Sequence, residues 1–303
     1  MPKERLHLLI ADLTLTRMES LTACPAVNDR WREAFLHGAM APDVFFYDLP
    51  FFRLPSLGNR LHQIMGQTAA DGGVPTAMAG FLNTREGLAN RPWLLGMAHH
   101  FLVDLRWHPL IDGYSASSGT RCRAMGLDPR NCHHWIESEL EAFWLDRLGP
   151  PRGYTDFLKR VRNLKDFRKK VGKAYRSLLS GIGLTPIPSA REIARCAGQQ
   201  VFVMTELLRP FWRNMRRTLL STPLTRYVGA LIPPGSGASW EQVLGSNTPE
   251  SFHRLWDLHF VRETVDAVTR AFLSLPGWSW LCPQRRFPPA DTGATACPKA
   301  HSF

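Results

Sequence analysis

Residues Leu94–His108 read LLGMAHHFLVDLRWH, and this stretch decides the fold. With Trp93 just ahead of it, Leu94, Met97, Phe101 and Leu105 return at helical spacing and form a burial stripe. Pro92 is well placed near the first helical position. On that helix His100 and Asp104 share one face, so an imidazole and a carboxylate aim at a common target. His108 lies two turns beyond His100, roughly 12 Å along a continuous helix at ~1.5 Å per residue, which is too far to share one ion with it. Pro109 disfavours helical geometry at His108, so the helix is expected to stop there and the chain to turn. Two neighbouring ions, rather than one, are the expectation.

Working outward, helical periodicity recurs along the chain. Leu6, Ile10, Leu13 and Leu21 fall near one stripe, with Arg5, Asp12 and Glu19 off it and His7 beside it. Asn28 is expected to cap a second helix through Trp31 and Phe35, ending at Gly38. Asp43 then falls in a loop, GAMAPDVFFYDLPFF, whose aromatic residues either fill the core or form a hydrophobic lip beside a pocket. His62 sits in a short helix or turn between Gly58 and Gly66. A long loop rich in Gly and Ser is expected from Leu110 to Cys132, the kind that is usually functional or mobile. His133-His134 then open the helical run WIESELEAFWLDRL, with Glu137 one turn after His133.

Beyond Gly149-Pro150-Pro151 the composition changes. Residues Lys159 to Arg176 form a basic amphipathic helix, which either rests on anionic lipid or packs on its own domain. Ser189 and Glu192 make a capping-box pattern for another helix that Pro210 would kink. Thr248-Pro249-Glu250 starts a further one through Trp256, Phe260, Val265 and Phe272. With no strand alternation and no internal repeat, the fold class is all-α: a multi-helix bundle with additional C-terminal helices. The expected organisation is a first domain over 1–150, a basic helical region over 151–275 and an irregular tail over 276–303.

A chain of 303 residues with 44% hydrophobic residues can bury a real core. Its net charge of +11 points to phosphoesters, nucleic acid or an acidic membrane, or else to a solvated basic face. Asp12 interrupts the first apolar run and no small-residue cleavage site follows, so no signal peptide is read. No apolar stretch approaches the ~20 residues that cross a bilayer. Cys24, Cys122, Cys132, Cys196, Cys282 and Cys297 include no C-x-x-C, so neither a zinc ribbon nor a disulfide framework is indicated, and reduced cytosolic thiols are expected. The expected location is cytoplasmic, with peripheral membrane contact as the variant.

The candidate ligands are His7, Asp43, His62, His100, Asp104, His108, His133 and Glu137. Two helices each place a carboxylate four residues after a histidine. Imidazole nitrogen with carboxylate oxygen suits catalytic zinc and leaves positions for water. Spacing selects His100 over His99 and His133 over His134, because only the former pair with Asp104 and Glu137. Glu141 and Asp146 are expected to hold histidine tautomers.

These residues carry a resemblance. The order HLLIAD, GAMAPD, LHQ, LGMAHHFLVDLRWHP and HHWIESELEAFWLD resembles the zinc-dependent phospholipase C family over roughly residues 1–150. That resemblance implies an all-α bundle around up to three zinc ions and a phosphodiester substrate. It implies that Asp43, His62, His100 and Asp104 gather around one zinc and that His108, His133 and Glu137 hold a second. His7 would belong to a third, bridged by Asp104. Two departures stand out. Secreted members supply an amino-terminal tryptophan to the third zinc, and none precedes His7 here. They also place five residues between the central Asp and the next His, where this chain has three between Asp104 and His108.

The implied reaction is hydrolysis of a phosphodiester such as a choline phospholipid by a metal-activated water, with Asp43 also placed to act as general base. Single-strand zinc nucleases of the same superfamily are the alternative, although their ligand set usually ends in Asp rather than Glu137. A non-catalytic zinc-stabilised scaffold or membrane-surface adaptor, contacting its partner through Lys159 to Arg176, is the third reading.

Overall fold

Helix is the regular structure throughout the residues that the computed structural model describes, which are 4–22, 29–49, 51, 53–68, 74–117, 120–151, 165–206, 210–223, 226–234, 237–245 and 250–275. The elements that build the first half are α1 (Glu4–Thr22), α2 (Asp29–Met40), a 3-10 helix (Ala41–Tyr47), α3 (Pro55–Thr68), α4 (Thr76–Leu82), α5 (Arg85–Ala89), α6 (Arg91–Ala116), α7 (Arg121–Ala124) and α8 (Pro129–Leu148). The second half adds α9 (Lys165–Gly181), α10 (Ala190–Glu206), α11 (Pro210–Ser221), α12 (Arg226–Leu231), α13 (Trp240–Leu244), α14 (Glu250–His253), a 3-10 turn (Arg254–Trp256) and α15 (Leu258–Leu273). The all-α expectation therefore holds. No described helix is long and apolar enough to cross a membrane.

The spine is α6, and it differs from the expectation in one respect that matters for the site. Pro109 lies inside the helix, which runs on to Ala116. A proline in a helix interior costs ~3 kcal/mol through its missing N–H and its clash with the preceding turn. The turns beyond it bury Ile111 and Tyr114, each worth ~1.5–3 kcal/mol, and Trp107, just ahead of the proline, is buried and donates from Nε1 to Thr264 Oγ1 at 3.3 Å. Burial outweighs the proline, so the expected long loop from Leu110 shrinks to the segment after Ala116.

α2 crosses α6 at backbone contact. A Cβ on Gly38 would stand 1.9 Å from the carbonyl oxygen of Trp93, and one on Gly96 would stand 2.0 Å from that of Phe35. Only hydrogen side chains allow this approach. α1 is a central helix rather than a one-sided one: Glu4, Arg5 and Asp12 are buried with its leucines, whereas Leu21 is exposed. The charges are paired on burial, Arg5 Nε with Glu141 Oε1 at 2.8 Å and Arg32 with Asp12. Asp43 lies in the 3-10 helix, where Phe45 and Tyr47 enter the core.

Local signals set the remaining boundaries. Asp128 caps α8 by accepting from Asn131 N at 2.9 Å, and Gly149 ends that helix at φ +77°. Ser189 and Glu192 form the expected reciprocal cap of α10. Pro210 opens α11 instead of kinking α10. The helix expected from Thr248 is broken before Leu258, where Asp257 supplies a fresh cap to His259 N at 2.8 Å. Cys122 and Cys132 are joined as a disulfide, with Cα atoms 5.4 Å apart; this corrects the expectation of reduced thiols for that pair, while Cys196 is a free, buried thiol. A ten-residue separation has no sequence signature of pairing, and it is the fold of α7 against α8 that brings the two together.

The C-terminal helices buttress the first half through one continuous apolar core. Tyr175 donates to Ala41 O and Gln200 to Met40 O, while Arg195 pairs with Asp48, so α9 and α10 brace the segment that carries Asp43. On α9 Lys173 and Arg176 are exposed beside buried Ala174 and Tyr175. The rest of the basic run proposed for lipid contact, Lys159 to Val171, lies outside the described residues or side chains, as do Asn28 and the tail over 276–303.

Candidate metal centre

Because α6 is continuous, His100, Asp104, His108 and Asp112 form one stripe at four-residue spacing. Asp104 stands at its middle. Its Oδ2 is 3.2 Å from His100 Nε2 and its Oδ1 is 3.2 Å from His108 Nε2. From α1, His7 brings Nε2 to 3.1 Å from Asp104 Oδ1, and its ring stacks on that of His100 with centroids 3.9 Å apart.

The 3-10 helix and α3 complete one side. Asp43 Oδ1 lies 3.2 Å from His62 Nε2 and 3.7 Å from His100 Nε2. The tautomers here are fixed by backbone. His62 Nδ1 meets Gly58 O at 2.9 Å and His100 Nδ1 meets Ala39 O at 2.8 Å. A carbonyl only accepts, so each Nδ1 carries a proton, and in the neutral ring each Nε2 presents a lone pair. Those two Nε2 atoms are 3.3 Å apart. Two lone pairs converging beside a buried carboxylate repel one another unless a cation lies among them.

On the other side, His133 and Glu137 reach in from α8. Glu137 Oε1 lies 2.9 Å from His133 Nε2 and 3.5 Å from His108 Nε2. His133 Nδ1 donates to Asp112 Oδ1 at 2.7 Å, and this bond holds the Asp112 carboxyl below its ordinary range. His133 Nε2 is thereby left to face Glu137, the arrangement that orients a ligating histidine. The donor atoms of three groups gather within 4.8 Å of one another: Asp43, His62 and His100; His7, His100 and Asp104; His108, His133 and Glu137.

The neighbouring titratable residues have other roles. His99 is wholly buried, donating from Nε2 to Thr14 Oγ1 at 3.2 Å, since that hydroxyl's own proton goes to Ile10 O. Burial holds its pKa well below the ordinary value. His134 meets the second oxygen of Glu137 at 3.4 Å, and burial lowers its pKa to about 4. His37 accepts from Trp93 Nε1 at 2.9 Å and is pushed down to about 3 by burial. Glu141 is committed to Arg5 and Asp146 to Gly237 N, so neither holds a histidine of the cluster, contrary to expectation.

Asp112 does that work instead. It was legible as the next member of the His100, Asp104, His108 stripe, but only if the helix continues past Pro109. Glu4 is a second residue the sequence did not single out. Wholly buried, it accepts from the Tyr47 hydroxyl, and burial, with Asp43 nearby, raises its pKa to about 7.

A cavity of about 700 Å³ opens on the cluster, lined by Phe46, Asn59, His62, His108, Asp112, Arg130 and His133 among others. Asp43 and His100 are wholly buried behind His62.

The sequence model of zinc-dependent phospholipase C matches residues 6–182 of the chain. The chain belongs to that family. The match extends beyond residue 150 into α9. No curated protein and no solved structure matches the chain. The donor set fits the family's metal, because imidazole nitrogen and carboxylate oxygen are the ligand types of open zinc sites, and the facing lone pairs of His62 and His100 call for a cation.

Proposed function

We propose that the chain hydrolyses phosphodiesters of the phospholipid type at the floor of this cavity. The observation that carries the reading is the pair of Nε2 atoms of His62 and His100, 3.3 Å apart beside Asp43 and with both tautomers fixed. In this reading Asp43, His62, His100 and Asp104 hold one zinc, His108, His133 and Glu137 the next, and His7 with Asp104 a third. Zinc bound there would supply a Lewis acid that lowers the pKa of water and neutralises phosphoryl oxygens.

The chain's own residues do the rest. The Gly58 and Ala39 carbonyls and the Asp112 carboxylate hold the Nδ1 of three imidazoles and so aim each Nε2 into the cluster. Asp104 couples the positions by dividing its two oxygens between His100 and His108. Asp43 is the carboxylate assigned as general base, since its oxygen stands among the donor atoms where a water proton would be released. His62, His108 and His133 present the reacting end of the cavity to substrate.

The test is elemental analysis of protein purified without added metal, together with hydrolysis of bis(p-nitrophenyl) phosphate and of short-chain phospholipids. Zinc content near two or three ions per chain is expected from the three donor groups, with turnover lost on chelation and restored by zinc. A zinc-loaded protein that cleaves no phosphodiester would refute the reading. Full activity in His108→Ala or Asp104→Ala would refute the ligand assignment.

A further inference from the structure

Beyond the imidazoles, the cavity wall has a charge of its own. Arg130 lies in the first turn of α8, three residues before His133, and lines the same cavity. One helical turn is ~5 Å of axial distance, so a substituent on a phosphorus held near His133 reaches Arg130 within a few bonds. Among the described residues the guanidinium makes no ion pair. Asn59, one turn before His62 on α3, adds an amide to the lining.

The same wall is poorly built for a cation. A trimethylammonium group is recognised by aromatic faces or by a carboxylate. Phe46 lines the cavity, but its ring already packs on His62 with centroids 5.6 Å apart. Asp112 accepts the His133 proton, and Asp128, beside Arg130 in sequence, accepts from Asn131 N at 2.9 Å and Nδ2 at 2.7 Å. Asp112 is held by His133 and Asp128 by the cap of α8, whereas the Arg130 guanidinium has no carboxylate partner among the described residues. The net charge of +11 adds a long-range field of the same preference.

We infer that Arg130 selects phosphodiesters carrying a second negative charge beyond the phosphorus, and disfavours the choline head group. This rests on the site proposed above for the phosphodiester itself. The substrate class is an anionic phospholipid or a related diester whose far end is a phosphate or carboxylate.

The experiment compares binding of two methylphosphonate monoesters to the zinc-loaded protein by calorimetry, one ending in phosphate and one in trimethylammonium. In the wild type the phosphate-terminated ester should bind about ten-fold tighter at low ionic strength, the scale of one charge-assisted contact, and the ratio should fall with salt. Arg130→Ala should bring the ratio near one, Arg130→Glu should invert it, and Arg130→Lys should restore part of it. A wild-type preference for trimethylammonium, or a ratio that Arg130→Ala leaves unchanged, overturns the inference. Hydrolysis of bis(p-nitrophenyl) phosphate by the wild type separates the two claims. Turnover with an unaltered ratio leaves the hydrolase and removes the role of Arg130; the expected ratios without turnover do the reverse.

Discussion

His133 donates its Nδ1 proton to Asp112 across 2.7 Å, and the donor and acceptor come from different helices. That bond fixes the tautomer that points Nε2 at Glu137 and His108. Asp112→Asn is expected to weaken metal binding at this position by ~10–100-fold while leaving the fold intact, because Asp112 is exposed. Competition with a chelator would measure it. Unchanged affinity would mean that the ring is held by packing alone.

Asp104 spreads its two oxygens over His7, His100 and His108, at 3.1, 3.2 and 3.2 Å. Asp104→Asn should therefore lower metal content at more than one position, whereas Glu137→Gln should affect the His108 and His133 side only. Metal stoichiometry of the two variants after identical dialysis makes the comparison. Equal losses would remove Asp104 from its bridging place.

The pH dependence of stability has a defined sign at His37. Its folded pKa is about 3 against an ordinary 6.5. The depressed value means that stability is fully present above pH 6.5 and is lost as pH falls towards 3. Between pH 6.5 and 4.5 the loss is on the order of 2 kcal/mol. His37→Gln keeps an acceptor for Trp93 Nε1 and removes the titration, so its unfolding free energy in urea should fall less over that interval. Parallel pH profiles for the two proteins would contradict it.

Gly96 stands against the carbonyl of Phe35 where α2 crosses α6. Gly96→Ala is expected to push the helices apart at a cost of ~1–3 kcal/mol and to draw the Ala39 carbonyl away from His100 Nδ1. Thermal unfolding and zinc affinity should both drop. Stability lost with affinity intact would show that His100 is anchored by other contacts.

Cys122–Cys132 closes a short loop, and removing such a bond costs about 3 kcal/mol in the chain-entropy account. Cys132→Ser should lower stability by that order, and a non-reducing peptide map should show the linked fragments in the wild type. A free-thiol titration that finds both cysteines would exclude the bond.

Much of this site was visible in residue types and spacing. The pairs His100 with Asp104 and His133 with Glu137 rest on helical periodicity alone, and their helices are long and apolar enough to make it decisive. What stayed hidden has physical causes. Pro109 is a helix breaker in local terms, and the burial of Ile111 and Tyr114 beyond it, a tertiary effect, keeps α6 going. Asp112 was lost with that helix, and Glu141 was misplaced because its partner, Arg5, lies at the far end of the sequence. The disulfide depended on a loop closure that no spacing rule anticipates.

The unbroken course of α6 past Pro109 has a consequence for how this protein tolerates change. Each residue turns a helix by ~100°, so one residue inserted anywhere between His100 and Asp112 would swing every later donor away from the cluster. The connection that leads to the wall carrying Arg130 is held by other means, because Cys122 is tied to Cys132 and Leu127 is buried. The count of residues along α6 is therefore set by angle, and the start of α8 is set by a covalent bond, so the two sides of the cluster keep their register by different means.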